Sequence, residues 1–356
     1  MNFNYLRNFA LGAVALCSLA SCEKDDDKNS DPFNFGDSKI VVIGHKVPDT
    51  DAVTSAMAYA IFLRSLGYDC EARVAGKLNK ETTFALDTFG LKAPELLTSA
   101  DNLNIVIVDH SEYAQSVDGM RNANILRVVD NHLLGSMTDA ASYDTTRSAG
   151  STCTIIYYDF QEQNISINKE TAQLLLLGIL SDTGGLKPNK SNNKDSVAVK
   201  DLAPIAGVND VAAFYARMNE FADSYEDMTD AEILVSDIKD YERAGYKFSV
   251  ANVDVEQDEY LEDMRNRMLA VMPNYMKENN LDFMLCKIDA DTLDCSNVLY
   301  LGENGEKFAD AAFLNMGIED VTSEKKDGYI YMTPHVSRKI IIVPRINDVL
   351  DANAKE

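Results

Sequence analysis

The sequence predicts an α/β protein of two domains: an N-terminal, mostly parallel sheet with helices on both faces, then a smaller C-terminal α/β domain, with a cleft between them. Three observations carry this. Short apolar segments at 40–43, 70–74, 104–108 and 125–129 alternate with helical stretches, the pattern of parallel strands joined by crossover helices. A chain of 356 residues with 46% hydrophobic content has length and apolar surface for more than one core. Around 222–230 the chain turns polar and acidic, as a hinge does. The expected division is a leader at 1–22, an acidic linker at 23–38, a first domain at 39–222, a hinge at 223–230 and a second domain at 231–350.

Arg7 precedes an apolar run at 9–20 that is too short to span a bilayer and reads as a secretory leader. It ends in Leu19-Ala20-Ser21-Cys22, which resembles the lipobox of bacterial lipoproteins. That resemblance implies cleavage before Cys22, acylation of its thiol and a lipid-anchored protein of the bacterial cell envelope, at the outer membrane or cell surface. An ordinary leader with a chance cysteine is the alternative. Asp25, Asp26 and Asp27 open a polar stretch with too few apolar residues to order itself, a flexible stalk; it also resembles export signals of some surface lipoproteins. Export would leave Cys70, Cys153, Cys286 and Cys295 where disulfides are permitted. Cys286 and Cys295 flank a hairpin turn at 289–294 and either pair across it or remain separate buried thiols. A net charge of −24 argues against a nucleic-acid partner, which needs a basic face.

The opening strand, Ile40-Val41-Val42-Ile43, runs into a loop made irregular by Gly44 and Pro48. The loop carries His45, Asp49 and Asp51, nitrogen and hard oxygen donors at the carboxyl end of a strand. Aspartates in such a loop also serve as turn formers or helix caps, and Asp51 stands just ahead of a helix at 52–66, which Gly67 stops. Two later strands end the same way. Val106-Ile107-Val108 leads into Asp109-His110, and Val128-Val129 into Asp130-Asn131-His132. Carboxylates gathered at one end of a sheet repel, and divalent cations resolve the conflict. A buried helix at 169–180 then delivers Ser181-Asp182-Thr183 at its carboxyl end, where a carboxylate opposes the macrodipole and calls for a cation nearby.

In the second domain, strands at 247–253, 282–288 and 297–301 surround a helical stretch at 256–277 and the hairpin. Its chemistry lies in Ser337-Arg338-Lys339, before the apolar run 340–343. A guanidinium fork beside a compact ammonium suits a diphosphate, although neighbouring charges at a strand end also read as solvated groups.

The segment from Gly44 to Asp51, Val108-Asp109-His110, Asp130-Asn131-His132 and Ser181-Asp182-Thr183 resemble the four motifs of the DHH phosphoesterase superfamily. Ser337-Arg338-Lys339 is similar to the basic motif of its DHHA2 branch, and within that branch residues 40–344 resemble the manganese-dependent (family II) inorganic pyrophosphatases. The resemblance implies hydrolysis of pyrophosphate with two divalent ions, Mn2+ first and Mg2+ or Co2+ as alternatives. His45 and Asp49 would bind one ion and Asp51 and Asp182 the other, with Asp109 bridging both as a catalytic residue. His132 would act at the leaving or electrophilic phosphate, and Ser337, Arg338, Lys339 and Lys247 would hold substrate. His110 reads as an imidazole that supports the ligands or is purely structural, with direct ligation as the alternative. Asn131 stands where the family usually has a histidine ligand; a neutral amide oxygen is a poorer donor to transition metals though acceptable to magnesium, so looser or more magnesium-tolerant metal binding is expected, with the chemistry retained. Water shared by two cations ionises near neutral pH and attacks phosphorus in line, and because His45 must be neutral to ligate, acid displaces metal. Other readings stay open: an exopolyphosphatase, a small-nucleotide phosphodiesterase, or a lipoprotein that binds phosphate or metal without catalysis. The oligomeric state is open too, with a homodimer as one form.

Overall fold

The computed structural model describes residues 33–354, apart from 139, 146–148, 223–224, 226–227, 256–259, 291, 315 and 319. The leader, Cys22 and residues 23–32 of the linker lie outside the described residues, as do four residues of the hinge region. From Phe35 onward the chain forms one compact unit containing two sheets. Among the described residues no helix is long and apolar enough to cross a membrane.

The first half follows the expected alternation: β1 (Ile40–Ile43), α1 (Thr50–Ser65), β2 (Cys70–Val74), α2 (Lys80–Phe89), β3 (Glu95–Leu96), β4 (Asn104–Val108), β5 (Asn124–Asp130) and β6 (Tyr143–Thr145). Four helices follow, α3 (Thr152–Glu162), α4 (Lys169–Asp182), α5 (Asn193–Ala206) and α6 (Val211–Ala222). The strands pair in the order β3-β2-β1-β4-β5-β6 and are parallel throughout. Chain direction across the sheet therefore reverses between β1 and β4, and the crevice at their carboxyl ends is where open parallel sheets bind ligands. Helix α4 is apolar all round because α1, α3 and α5 enclose it. Gly178 permits its approach to α1: a Cβ there would lie 2.4 Å from Asp51 Oδ1 and 2.5 Å from Cys153 Sγ.

The second half runs α7 (Asp230–Ser236), β7 (Ile238–Arg243), β8 (Tyr246–Val255), α8 (Leu261–Glu278), β9 (Phe283–Ala290), β10 (Cys295–Leu301), α9 (Gly305–Phe313), β11 (Thr322–Lys326), β12 (Tyr329–Thr333) and α10 (Val343–Asp351). Its sheet order is β11-β12-β10-β9-β8-β7, antiparallel except for β8 and β9, which α8 connects in parallel. Period-2 alternation divides two cores: Phe248, Val250, Phe283 and Leu285 on one face, Ala251, Val253, Met284 and Cys286 on the other.

Two sequence readings are settled by register and by the end of the chain. Cys286 pairs with Leu299 and Cys295 with Ala290, so the two cysteines stand four residues apart along the hairpin, roughly 13 Å by strand rise, and form no disulfide. The apolar run at 340–343 is not a strand. Arg338–Ile342 is a π-helical turn that leads into amphipathic α10, whose Val343, Ile346 and Leu350 are buried.

Candidate functional site

Three strand ends and one helix end meet in the crevice. Asp49 caps α1, its Oδ1 accepting from the Ala52 amide at 2.9 Å, while its Oδ2 lies 3.2 Å from His45 Nε2. Capping and candidate ligation thus use different oxygens of one carboxylate. Asp51 is buried and accepts from Ser151 Oγ at 2.8 Å and from the amides of Thr152 at 2.7 Å and Cys153 at 3.1 Å. It therefore seats an anion on the amino end of α3. Asp109 follows β4 in left-handed backbone, φ 61°, and accepts from Thr152 Oγ1 at 3.0 Å. Its Oδ2 is 3.4 Å from His45 Nε2, buried, and without a hydrogen-bond partner.

Ligand atoms of three groups each lie within 4.8 Å of one another: His45, Asp49 and Asp109; Asp51, Asp109 and Asp182; and Asp109, Asp130 and His132. Asp109 belongs to all three. An orphaned buried carboxylate oxygen, shared between an imidazole-containing set and an all-carboxylate set, fits a pair of divalent cations. The charges fit as well. Burial and the Asp109 and Asp182 charges push Asp51 up, and burial with Asp109 and Asp49 holds Asp182 at about 7 against the pull of Lys339. His45 is raised to about 9, because Asp49 and Asp109 outweigh both burial and Lys239. Burial and crowding thus raise the cost of keeping these carboxylates ionised, a cost that divalent cations would remove.

Asn131 is buried beside this set, with its Oδ1 3.3 Å from the Thr152 hydroxyl that also serves Asp109. His132 has its Nδ1 2.7 Å from Asp130 Oδ1, and the same oxygen accepts the His132 amide at 3.0 Å. Ser111 Oγ donates to the other oxygen of Asp130 at 2.9 Å. Burial would raise Asp130, but His132 and Ser111 hold it at about 2. His110 is 3.0 Å from the Val108 carbonyl through one ring nitrogen and 2.9 Å from Ser116 Oγ through the other, a structural imidazole with no nitrogen left for a metal.

Cations reach the site from the second half. Lys239 on β7 is buried, its Nζ 3.8 Å from Asp49 Oδ2. Lys339 Nζ donates to the Gly150 carbonyl at 3.1 Å and lies 3.6 Å from Asp182 Oδ2, the cation that the carboxyl end of α4 calls for. Arg338 is held by Asp237, through the side chain at 2.6 Å and the carbonyl at 2.8 Å. Ser337 Oγ accepts from the Ile340 amide at 3.3 Å and caps the π-helical turn. A narrow pocket of about 30 Å³ is lined by His132, Lys239, Tyr241, Lys339, Glu112 and Asn347, among others.

The DHH family, N-terminal domain, matches residues 39–179, and the DHHA2 domain matches residues 216–349. A Streptococcus mutans protein named probable manganese-dependent inorganic pyrophosphatase is 34% identical over 87% of this chain and 98% of its own length. The chain belongs to the manganese-dependent inorganic pyrophosphatase family. The Bacillus subtilis manganese-dependent inorganic pyrophosphatase is 32% identical over 88% of this chain and 99% of its own. A solved Methanococcus jannaschii structure assigned to the family II inorganic pyrophosphatases superposes with a TM-score of 0.78 at 27% identity, covering 88% of this chain and 99% of that one.

Within this pyrophosphatase-family fold one expected substrate residue is misplaced. Lys247 is exposed and stands opposite Glu242, whereas Lys239 stands opposite Val250. Lys247 therefore lies three residues further along the hairpin, roughly 10 Å away, on the opposite face. The lysine beside the carboxylates is Lys239, which the sequence reading passed over because Ile238-Lys239-Asp240-Tyr241 lacks an apolar period. Asp130, Ser111 and Thr152 were also unforeseen as supports; Asp130 alone carried a signal, as the third aspartate at a strand end. Buried Glu81, whose Oε2 accepts from Thr50 Oγ1 at 3.1 Å and Ser181 Oγ at 3.0 Å, ties the start of α1 to the end of α4.

Proposed function

We propose that this protein hydrolyses inorganic pyrophosphate to two phosphates, using two divalent cations with Mn2+ preferred. The observation that carries this is Asp109, whose carboxylate is common to the His45–Asp49 set and the Asp51–Asp182 set and has a buried oxygen without a hydrogen-bond partner. His45, Asp49 and Asp109 would hold one ion; Asp51, Asp109, Asp182 and the Asn131 amide oxygen the other. Bound there, such ions supply a water acidic enough to attack phosphorus near neutral pH and neutralise charge on the phosphate oxygens.

The remaining steps belong to the chain. Lys239 and Lys339 bind phosphate oxygens, and Asp237 orients the Arg338 guanidinium beside them. Asp130 accepts from His132 Nδ1, which fixes the ring and leaves Nε2 as a hydrogen-bond acceptor beside the phosphates. Contacts across the cleft, Lys46 to Asp240 at 2.8 Å and Lys339 to Gly150, exclude bulk water from the reacting group.

The test is phosphate release from pyrophosphate by the purified protein with Mn2+, Mg2+ or Co2+ and after chelation. Release with Mn2+ that chelation abolishes is expected; no release with any of the metals ends the proposal. We also infer that the mature chain is lipid-anchored through Cys22 to the bacterial envelope, which the apolar run 9–20 and Leu19-Ala20-Ser21-Cys22 support. Metabolic labelling with a fatty acid, lost in Cys22→Ser, would test it; label retained by that variant refutes it.

A further inference from the structure

Glu112, Leu134, Tyr241 and Asn347 line the same pocket as Lys239, Lys339 and His132. Glu112 bears a carboxylate that belongs to none of the three candidate metal groups. It is held rigidly: the Ser136 amide donates to Oε2 at 3.0 Å, and the loop over it packs so tightly that a Cβ on Gly135 would come within 2.5 Å of the Glu112 carboxyl carbon. The Gly135 amide in turn donates to Ser111 Oγ at 2.9 Å, fastening this loop to the residue that supports Asp130. The loop Leu133-Leu134-Gly135-Ser136 carries no cation to pair with the carboxylate, and Arg243 on β7 is the cation whose charge reaches it.

A diphosphate engages Lys239 and Lys339 with its two phosphoryl groups. A third phosphoryl group finds no further lysine among the lining residues and there meets the Glu112 carboxylate. Like charges a few ångströms apart in a partly desolvated wall cost enough to reject a ligand that otherwise fits. We propose that Glu112 is a specificity-determining residue that confines the site to diphosphate and rejects tripolyphosphate and longer chains by charge. The proposal rests on the pyrophosphatase reading and refines its substrate class.

The test compares kcat/KM for tripolyphosphate with kcat/KM for pyrophosphate, with Mn2+, in the wild type, Glu112→Gln and Glu112→Ala. The ratio is taken within one preparation, so loss of folded protein cancels. Glutamine keeps the shape and an oxygen for the Ser136 amide but removes the charge. A ratio that rises roughly tenfold or more in both variants is the expected result. An unchanged ratio overturns the proposal, as does a rise confined to Glu112→Ala, which would make the exclusion steric, or a wild type that cleaves both substrates equally. Wild-type protein inert on pyrophosphate would instead overturn the reading beneath it, so the two failures are distinguishable.

Discussion

At the end of β5, Asn131 offers an amide oxygen that shares the Thr152 hydroxyl with Asp109. Imidazole binds first-row transition metals more tightly than a neutral amide. Asn131→His therefore tightens Mn2+ binding by roughly tenfold or more, read by titration calorimetry; equal affinities remove the penalty assigned to the amide. The strand-end residues were legible because each stands directly after a β-branched run, so the end of the run marks the catalytic edge of the sheet. The supporting residues were not. Thr152 and Ser111 are ordinary polar residues until the fold places them against Asp109 and Asp130.

At the scale of elements, the crevice depends on how closely α4 packs on α1 and α3. Gly178 is the point of approach, and its Cβ would strike the Asp51 carboxylate and Cys153. Gly178→Ala should destabilise the protein by about 1–3 kcal/mol in denaturant unfolding and weaken metal binding with it. A variant of unchanged stability would mean that the two helices can part without cost. On the other side of α3, Asp159 is buried with Oδ2 unpartnered, and burial reinforced by Asp144 pushes it up to about 8. An unfolded aspartate titrates near pH 4, so between about pH 4 and 8 the folded state keeps a proton that the unfolded state has lost. The stability this contributes is full below that window and falls away as pH rises through it. Asp159→Asn has no such proton to lose, so its Tm advantage over the wild type should widen by several degrees from pH 5 to pH 8. A constant difference would show that Asp159 ionises normally.

Across the whole molecule, the β7 to β8 hairpin of the second half reaches over the first, with Lys239 beside Asp49 and Asp240 beside Lys46. This explains why β7 could not be read from the sequence. Lys239 faces the carboxylates and Asp240 pairs across the cleft, so the apolar alternation that marks a strand has been replaced by the groups that do the work. Helix α10 escaped for another reason: a run of four apolar residues is too short to distinguish strand from helix, and Pro344 fits a first helical turn as readily as a strand end. The parallel sheet, the crevice and the hairpin were legible because buried strands repeat one pattern.

Lys339 to Gly150 and Lys46 to Asp240 tie the two halves across the cleft, and these contacts are expected to part for pyrophosphate to enter and to re-form around it. Small-angle scattering should give a larger radius of gyration for the free protein than with Mn2+ and a non-hydrolysable diphosphate; identical values contradict such opening.

The manganese stoichiometry of wild type and Asp109→Asn tests most directly whether one carboxylate serves two cations. Two equivalents of Mn2+ per chain are expected for the wild type, with tight binding at both positions lost in Asp109→Asn. Two equivalents still bound at wild-type affinity by Asp109→Asn would contradict it.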